Sequence, residues 1–461
     1  MSGIERKALL QMTADRAAQY LLDLEMRSVA ADVGAVDLLR QKLDFDLPSQ
    51  GQSDVHVLEF LDRFGSPATV ASAGGRYFGF VTGGAVPASL AANWLANTWD
   101  QNGFSSVSSP ALAAFEDTAL RWLKQALGLP ASAGGALVTG ATLANFTCLA
   151  AARHQVLKNV GWDVEAQGLF SAPQITVVVG EEVHSTVYKV LAMLGLGRDR
   201  VLKLPVDDQG CIRADNLPIL NGPTILCLQA GNVNSGAFDP AAALIPWARS
   251  ADAWIHVDGA FGLWAAVSDK HKHLAADFAD ADSWATDAHK WLNVPYDNGI
   301  AIVRDADALH QAMAIVAAYL PPGATRDAIE FTPDSSRRAR GVDIWAALAS
   351  LGQEGLSDLI DRNCRQAKTM ATGLQDAGAT ILNDVVLNQV VVAFDDDTTT
   401  HEVIQQVQDD GVCWCGGTNW QGRDAMRISV SSWATTDEDI DKSLTAIVNA
   451  FDEVRQTKQT I

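Results

Sequence analysis

Cysteine is scarce, six residues in 461, and only Cys413 and Cys415 lie close together. A chain this long has no need of disulfide staples, and Cys413-Trp414-Cys415 lacks a second ligand pair nearby. Buried free thiols are therefore expected, with no metal site. Basic residues are outnumbered, 34 against 55 acidic, for a formal net charge of −21. Such a field repels phosphate backbones and anionic lipid, so nucleic acid and membrane are excluded as partners. The acidic residues are scattered, with only short runs such as Asp395-Asp396-Asp397, as on a solvated surface. Residues 1–11 carry charges and no uninterrupted apolar stretch, which argues against a signal peptide or anchor and predicts a cytoplasmic location. No repeat of fixed period and no low-complexity segment is visible.

With 48% hydrophobic and 19% charged residues, the composition is that of an ordinary soluble globular chain. Its length exceeds what one hydrophobic core supports, so two or three folded units are expected. Residues 1–70 read as an N-terminal helical arm, rich at first in Ala, Leu, Met, Arg and Glu at helical spacing. Ser109-Pro110 opens a helix with a capping residue and a first-turn proline, and Gly128 stops it. From about 135 to 305, short apolar or β-branched runs alternate with helical stretches, the pattern of a parallel α/β sheet. Strands are predicted at 136–139, 175–179, 201–204, 224–228, 254–257 and 300–303, with helices after Thr142, Ser185 and Asp239. The large domain is placed at 71–340 and a smaller α+β domain at 341–461.

Two strand-end motifs carry the chemistry. His256-Val257-Asp258-Gly259-Ala260-Phe261-Gly262 follows a strand, and Asp287-Ala288-His289-Lys290-Trp291-Leu292 comes about thirty residues later. Taken singly, Lys290 reads as a surface lysine and Asp258 as a cap. In one crevice, a lysine can form an imine with an aldehyde cofactor, and a buried carboxylate can stabilise a pyridinium. Leu137-Val138-Thr139-Gly140-Ala141-Thr142 runs from strand through a small-residue turn into a helix, whose first N–H groups can hold a phosphate.

Together with Asn293-Val294-Pro295-Tyr296-Asp297 after the lysine, these motifs resemble the group II pyridoxal-phosphate amino-acid decarboxylases: the aromatic-amino-acid, histidine and glutamate decarboxylases. Tyr77-Phe78-Gly79-Phe80, Ser108-Ser109-Pro110-Ala111 and Arg427-Ile428-Ser429-Val430 extend the similarity to roughly residues 70–450. The resemblance implies an aspartate-aminotransferase-like (fold-type I) α/β enzyme, with a mainly parallel seven-stranded sheet and a small C-terminal domain, assembled as a homodimer. It implies pyridoxal 5'-phosphate on Lys290, with Asp258 at the ring nitrogen, His184 stacked on the ring and Ala260 on its other face. It further implies Ala141, Thr142 and His289 at the phosphate and Gln229 near the ring hydroxyl. Catalysis would rest on Lys290, Asp258 and His184.

The family's mobile loop supplies a tyrosine that helps protonate the carbanion; here residues 325–333, before Arg337-Arg338-Ala339-Arg340, contain none, the nearest upstream one, Tyr319, matches a different family position, and Phe331 cannot donate a proton. Decarboxylation of an L-amino acid is the leading reading. Aldehyde formation, aldol-type cleavage and a non-catalytic scaffold stand as alternatives. The segment 321–336 is expected to be mobile and to close over the site. Phe80, Thr82, Asn102 and Phe104 are the candidate substrate contacts, Gly79 is expected to leave extra space, and an aromatic amino acid is the first candidate, although Asn102 also suits a polar or acidic side chain.

Overall fold

Strands that are apolar at consecutive positions are stable where both faces are covered. The protein, described for residues 3–314 and 326–460 by a computed structural model, builds its large sheet from seven strands, most of them of this kind. They are β1 (Gly134–Val138), β2 (Thr176–Gly180), β3 (Leu202–Leu204), β4 (Thr224–Gln229), β5 (Trp254–Asp258), β6 (Ser283–Asp287) and β7 (Gly299–Val303). Their order is β1-β7-β6-β5-β4-β2-β3. β7 runs antiparallel to both β1 and β6, and the other pairs are parallel. β6 is absent from the predicted strands because Ser283, Thr286 and Asp287 interrupt its apolar pattern.

Alternate residues feed opposite cores. Leu137, Val178, Leu226, Leu228, Ile255 and Val257 pack on one face. Ala136, Val138, Val177, Val179, Ile225 and Cys227 pack on the other, which the helix Ala141–Lys158 covers. That helix is buried nearly all round, as its run of small and apolar residues allows.

A second sheet holds β8 (Thr380–Ile381), β9 (Gln389–Ala393), β10 (Gly416–Trp420) and β11 (Arg423–Ser429), all antiparallel, in the order β10-β11-β9-β8. The helices Arg340–Asp376 and Asp437–Thr460 cover it through Met370, Leu374, Ile447 and Phe451. Residues 76–78 lie along this smaller unit: Trp414 N donates to Arg76 O, Phe78 N to Trp414 O and Ser429 N to Phe78 O. The helices Gly3–Asp23, Val33–Leu43 and Asp54–Phe60 contain no buried residue.

The expectation of a mobile segment at 321–336 divides. Residues 321–325 lie outside the described residues, whereas 326–336 are held in place. Asp327 Oδ1 accepts Ser106 N at 2.6 Å, and Ile329 N donates to Phe104 O. Phe331 packs edge-on against His310 and under the Arg326 guanidinium. Arg337, its side chain wholly buried, pairs with Glu116 at 2.8 Å and donates to Leu137 O. Ser109 likewise departs from its expected role: its hydroxyl donates to Asn102 O at 2.6 Å and makes no cap bond to the helix Pro110–Ala126.

Candidate active site

The strand register sets the site. Gln229 lies opposite Asp258, and Asp258 opposite Ala285, so β4, β5 and β6 end along one edge of the sheet. A cavity of about 290 Å³ opens there. Ala141, Thr142, His184, Gln229, Asp258, Ala260, His289 and Lys290 all line it, so the predicted cofactor-side residues converge although they span 150 positions.

Lys290 places its ammonium 3.1 Å from Asp287 Oδ2, with its side chain 20% exposed. Asp287, which the sequence reading left in a motif without a role, is buried, and its Oδ1 accepts Ala141 N at 2.6 Å. A carboxylate at a helix N-terminus is favoured by the helix dipole. The N–H expected to face a phosphate is thus engaged by Asp287 in this structure. His289 Nδ1 accepts Asn298 N at 3.0 Å, which leaves the proton on Nε2, 3.5 Å from Asp287 Oδ1. Burial lowers the His289 pKa, and the Tyr296 ring lies 4.4 Å from its own.

Asp258 is buried. Its Oδ2 accepts the Asn145 amide at 3.1 Å, and its Oδ1 accepts Ala260 N at 3.3 Å. His184 caps the helix Ser185–Met193: its Nδ1 accepts Thr186 N at 3.4 Å and lies 2.7 Å from Thr186 Oγ1. Nε2 is therefore the protonated nitrogen of the neutral ring. Burial lowers the His184 pKa, and the Asp258 charge opposes that shift. Gln229 donates its amide to Glu182 O at 3.1 Å. Asp239 accepts Gln229 N and Ile212 N at 2.6 and 2.8 Å, and burial pushes its carboxyl up to about 7.

None of the four substrate candidates lines this cavity. Phe80 and Val81 both adopt left-handed φ, at 57° and 61°, a strained geometry that neighbouring structure must enforce. The Phe80 ring stacks on Trp414 at 5.7 Å, and Trp414 stacks on Tyr77 at 5.1 Å. The room expected beside Gly79 is filled: a Cβ there would collide with the Trp414 ring. Thr82 offers its carbonyl to Ser431 Oγ, and Val86 N bonds Asn293 O, so this stretch runs past the Lys290 turn. Asn102 and Phe104 instead fasten the segment after 326, Asn102 through Arg337 N and Ser336 Oγ. Trp414, between two cysteines, carries no local signal of these ring contacts in the sequence.

The donor set suits an aldehyde cofactor with a pyridine ring and an anionic tail. It offers one amine beside the buried Asp287, a second buried carboxylate, Asp258, that can face a ring N–H, a flat imidazole and a helix N-terminus. Residues 39–395 match the family model described as the pyridoxal-dependent decarboxylase conserved domain. The chain belongs to this family. An aromatic-L-amino-acid decarboxylase of Bacillus atrophaeus is 26% identical over 390 residues, 82% of this chain and 79% of the relative. Human cysteine sulfinic acid decarboxylase is 26% identical over 338 residues, 70% of this chain and 67% of the relative. The crystal structure of Oryza sativa TDC with PLP and tryptamine matches at a TM-score of 0.89 and 22% identity, over 98% of this chain and 99% of that one. The decarboxylase thus has the fold-type I architecture, uses pyridoxal phosphate and acts as an amino-acid carboxy-lyase.

Proposed function

We propose that Lys290 Nζ is the amine that binds the cofactor aldehyde and that Asp258 holds the ring nitrogen protonated during decarboxylation of an aromatic L-amino acid. The observation that carries this reading is the meeting of Lys290 and Asp258 in one cavity, the lysine next to Asp287 and the aspartate fixed from behind by Asn145. When bound, pyridoxal phosphate supplies the aldehyde and an electron-withdrawing protonated ring. His184 offers a flat neutral ring with its proton on Nε2, and Ala260 leaves room on the opposite side of the cavity. Thr142 and His289 serve the phosphate, with Ala141 N once Asp287 releases it, and Gln229 borders the ring hydroxyl.

For the substrate, the Tyr77-Trp414-Phe80 stack and the Tyr296 ring on His289 supply aromatic faces near the lysine turn. Arg427 reaches Val233 O and Asn234 Oδ1 beside the cavity and has no ion-pair partner among the described residues, which suits a substrate carboxylate. We read the working form as a cytoplasmic homodimer. Among the described residues, no helix is long and apolar enough to cross a membrane.

The test is spectroscopic and chemical. Purified protein with pyridoxal phosphate is expected to absorb in the visible, and Lys290→Ala to lose that band. A wild-type protein that stays colourless overturns the assignment of Lys290. Product analysis over the twenty amino acids, with and without oxygen, is expected to give amines from aromatic substrates. Turnover confined to acidic substrates overturns the substrate class alone.

A further inference from the structure

Behind Asp258 runs a chain of buried polar side chains that the proposed chemistry does not use directly. Trp254 Nε1 donates to Ser283 Oγ at 2.9 Å, and Ser283 Oγ lies 2.9 Å from His256 Nδ1. His256 Nε2 lies 2.9 Å from Asn145 Oδ1, and Asn145 Nδ2 donates to Asp258 Oδ2 at 3.1 Å. The elements make this possible. His256 and Asp258 share one face of β5, Ser283 pairs with His256 across the β5–β6 register, and Asn145 projects from the first turns of the helix below.

Every link has one permitted direction. Asp258 accepts, so the Asn145 amide NH₂ faces it and Asn145 Oδ1 faces His256 Nε2, which must carry the proton. Nδ1 of the neutral ring is then an acceptor, and Ser283 directs its hydrogen there while accepting from the indole N–H. Asn145, His256 and Ser283 are wholly buried, so no water can stand in for a missing link.

We propose that Trp254, Ser283, His256 and Asn145 form a relay of fixed polarity that holds the Asp258 carboxylate aimed at the cofactor's ring nitrogen, which makes Asn145 and His256 positioning residues for decarboxylation. The inference rests on the assignment of Asp258 given above. A neutral relay suits this task better than a cation. An arginine or lysine against Asp258 would stabilise the carboxylate but offset the negative charge that the ring nitrogen requires. Burial holds His256 neutral, its pKa lowered to about 4, so the relay donates a hydrogen bond without adding charge.

The experiment compares two cofactors on the apo-protein: pyridoxal phosphate, and its analogue with carbon in place of the ring nitrogen. Because the relay acts only through that atom, Asn145→Leu is expected to lose about tenfold in affinity for the natural cofactor. Its affinity for the carbon analogue is expected to stay within about twofold of wild type. Should Asn145→Leu not fold, Ser283→Ala replaces it, read by the same ratio and by a shift of the His256 Nδ1 resonance in the nitrogen-15 spectrum as that nitrogen loses its donor. Equal losses for both cofactors would reduce the relay to packing, and no loss for either would show it idle; both outcomes overturn the proposal. Asp258→Asn separates the two readings. If it too fails to distinguish the cofactors, the assignment of Asp258 falls and the relay with it. If Asp258→Asn discriminates and Asn145→Leu does not, only the relay falls.

Discussion

A histidine kept neutral by burial couples stability to acid. His256 has its pKa lowered from 6.5 to about 4, chiefly by desolvation, with the Asp258 charge opposing. Its folded pKa lies below its unfolded one, so the stability it contributes is fully present above pH 6.5 and is lost as the pH falls toward 4. The shift corresponds to about 3 kcal/mol. Thermal melting of the apo-protein is expected to drop more steeply between pH 6.5 and 4 for wild type than for His256→Gln, which has no proton to take up. Parallel curves would mean that His256 does not titrate in this range.

At the scale of elements, the segment that follows the undescribed residues is tied down by charge. Glu116, on the helix Pro110–Ala126, faces Arg337 at 2.8 Å and Arg326 at 3.5 Å, and the Arg337 side chain is wholly buried. Removing one partner of such a pair strands the other charge in the core, at a cost of about 3–5 kcal/mol. Glu116→Ala is therefore expected to lower the melting temperature and to expose 326–336 to a nonspecific protease, which wild type should resist there. Rapid cleavage of wild-type protein within 326–336 would show that these anchors are weak. The polar texture of 326–336 gives no local sign of these anchors: Asp327, Ile329 and Arg337 find partners more than 200 residues away in sequence. Phe331 likewise rests against His310 and Arg326.

At the scale of the molecule, the first sixty residues leave much apolar surface uncovered in the single chain. Leu10, Leu22, Met26 and Leu47 are exposed. A groove of about 1,030 Å³ runs between the helix Gly3–Asp23, residues 71–94 and residues 433–442. The proposed homodimer would cover this surface. Light scattering is expected to report twice the chain's 49.1 kDa, and removal of residues 1–52 to yield monomer or aggregate. A monodisperse monomer of the full chain would exclude the homodimer.

The order of strands and helices, the lysine and aspartate motifs and the cofactor class were legible in the chain itself. They depend on short-range signals: apolar periodicity, glycine and proline punctuation, and residues adjacent within a motif. Six of the seven strands of the large sheet follow from that periodicity, and the eight cofactor-side residues sit on or beside motifs at strand ends. Tertiary structure alone decided which ordinary residues serve the site. Asn145 and Asp258 are 113 positions apart, and Asn145 and His256 are 111 apart. Trp414 meets Tyr77 and Phe80 only because residues 76–78 lie along the smaller sheet. An asparagine within a helix or a tryptophan between two cysteines carries no local mark of its partner. A hydrogen-bond direction or a ring contact exists only once folding has brought both groups into one water-free space, where each polar atom must find a partner.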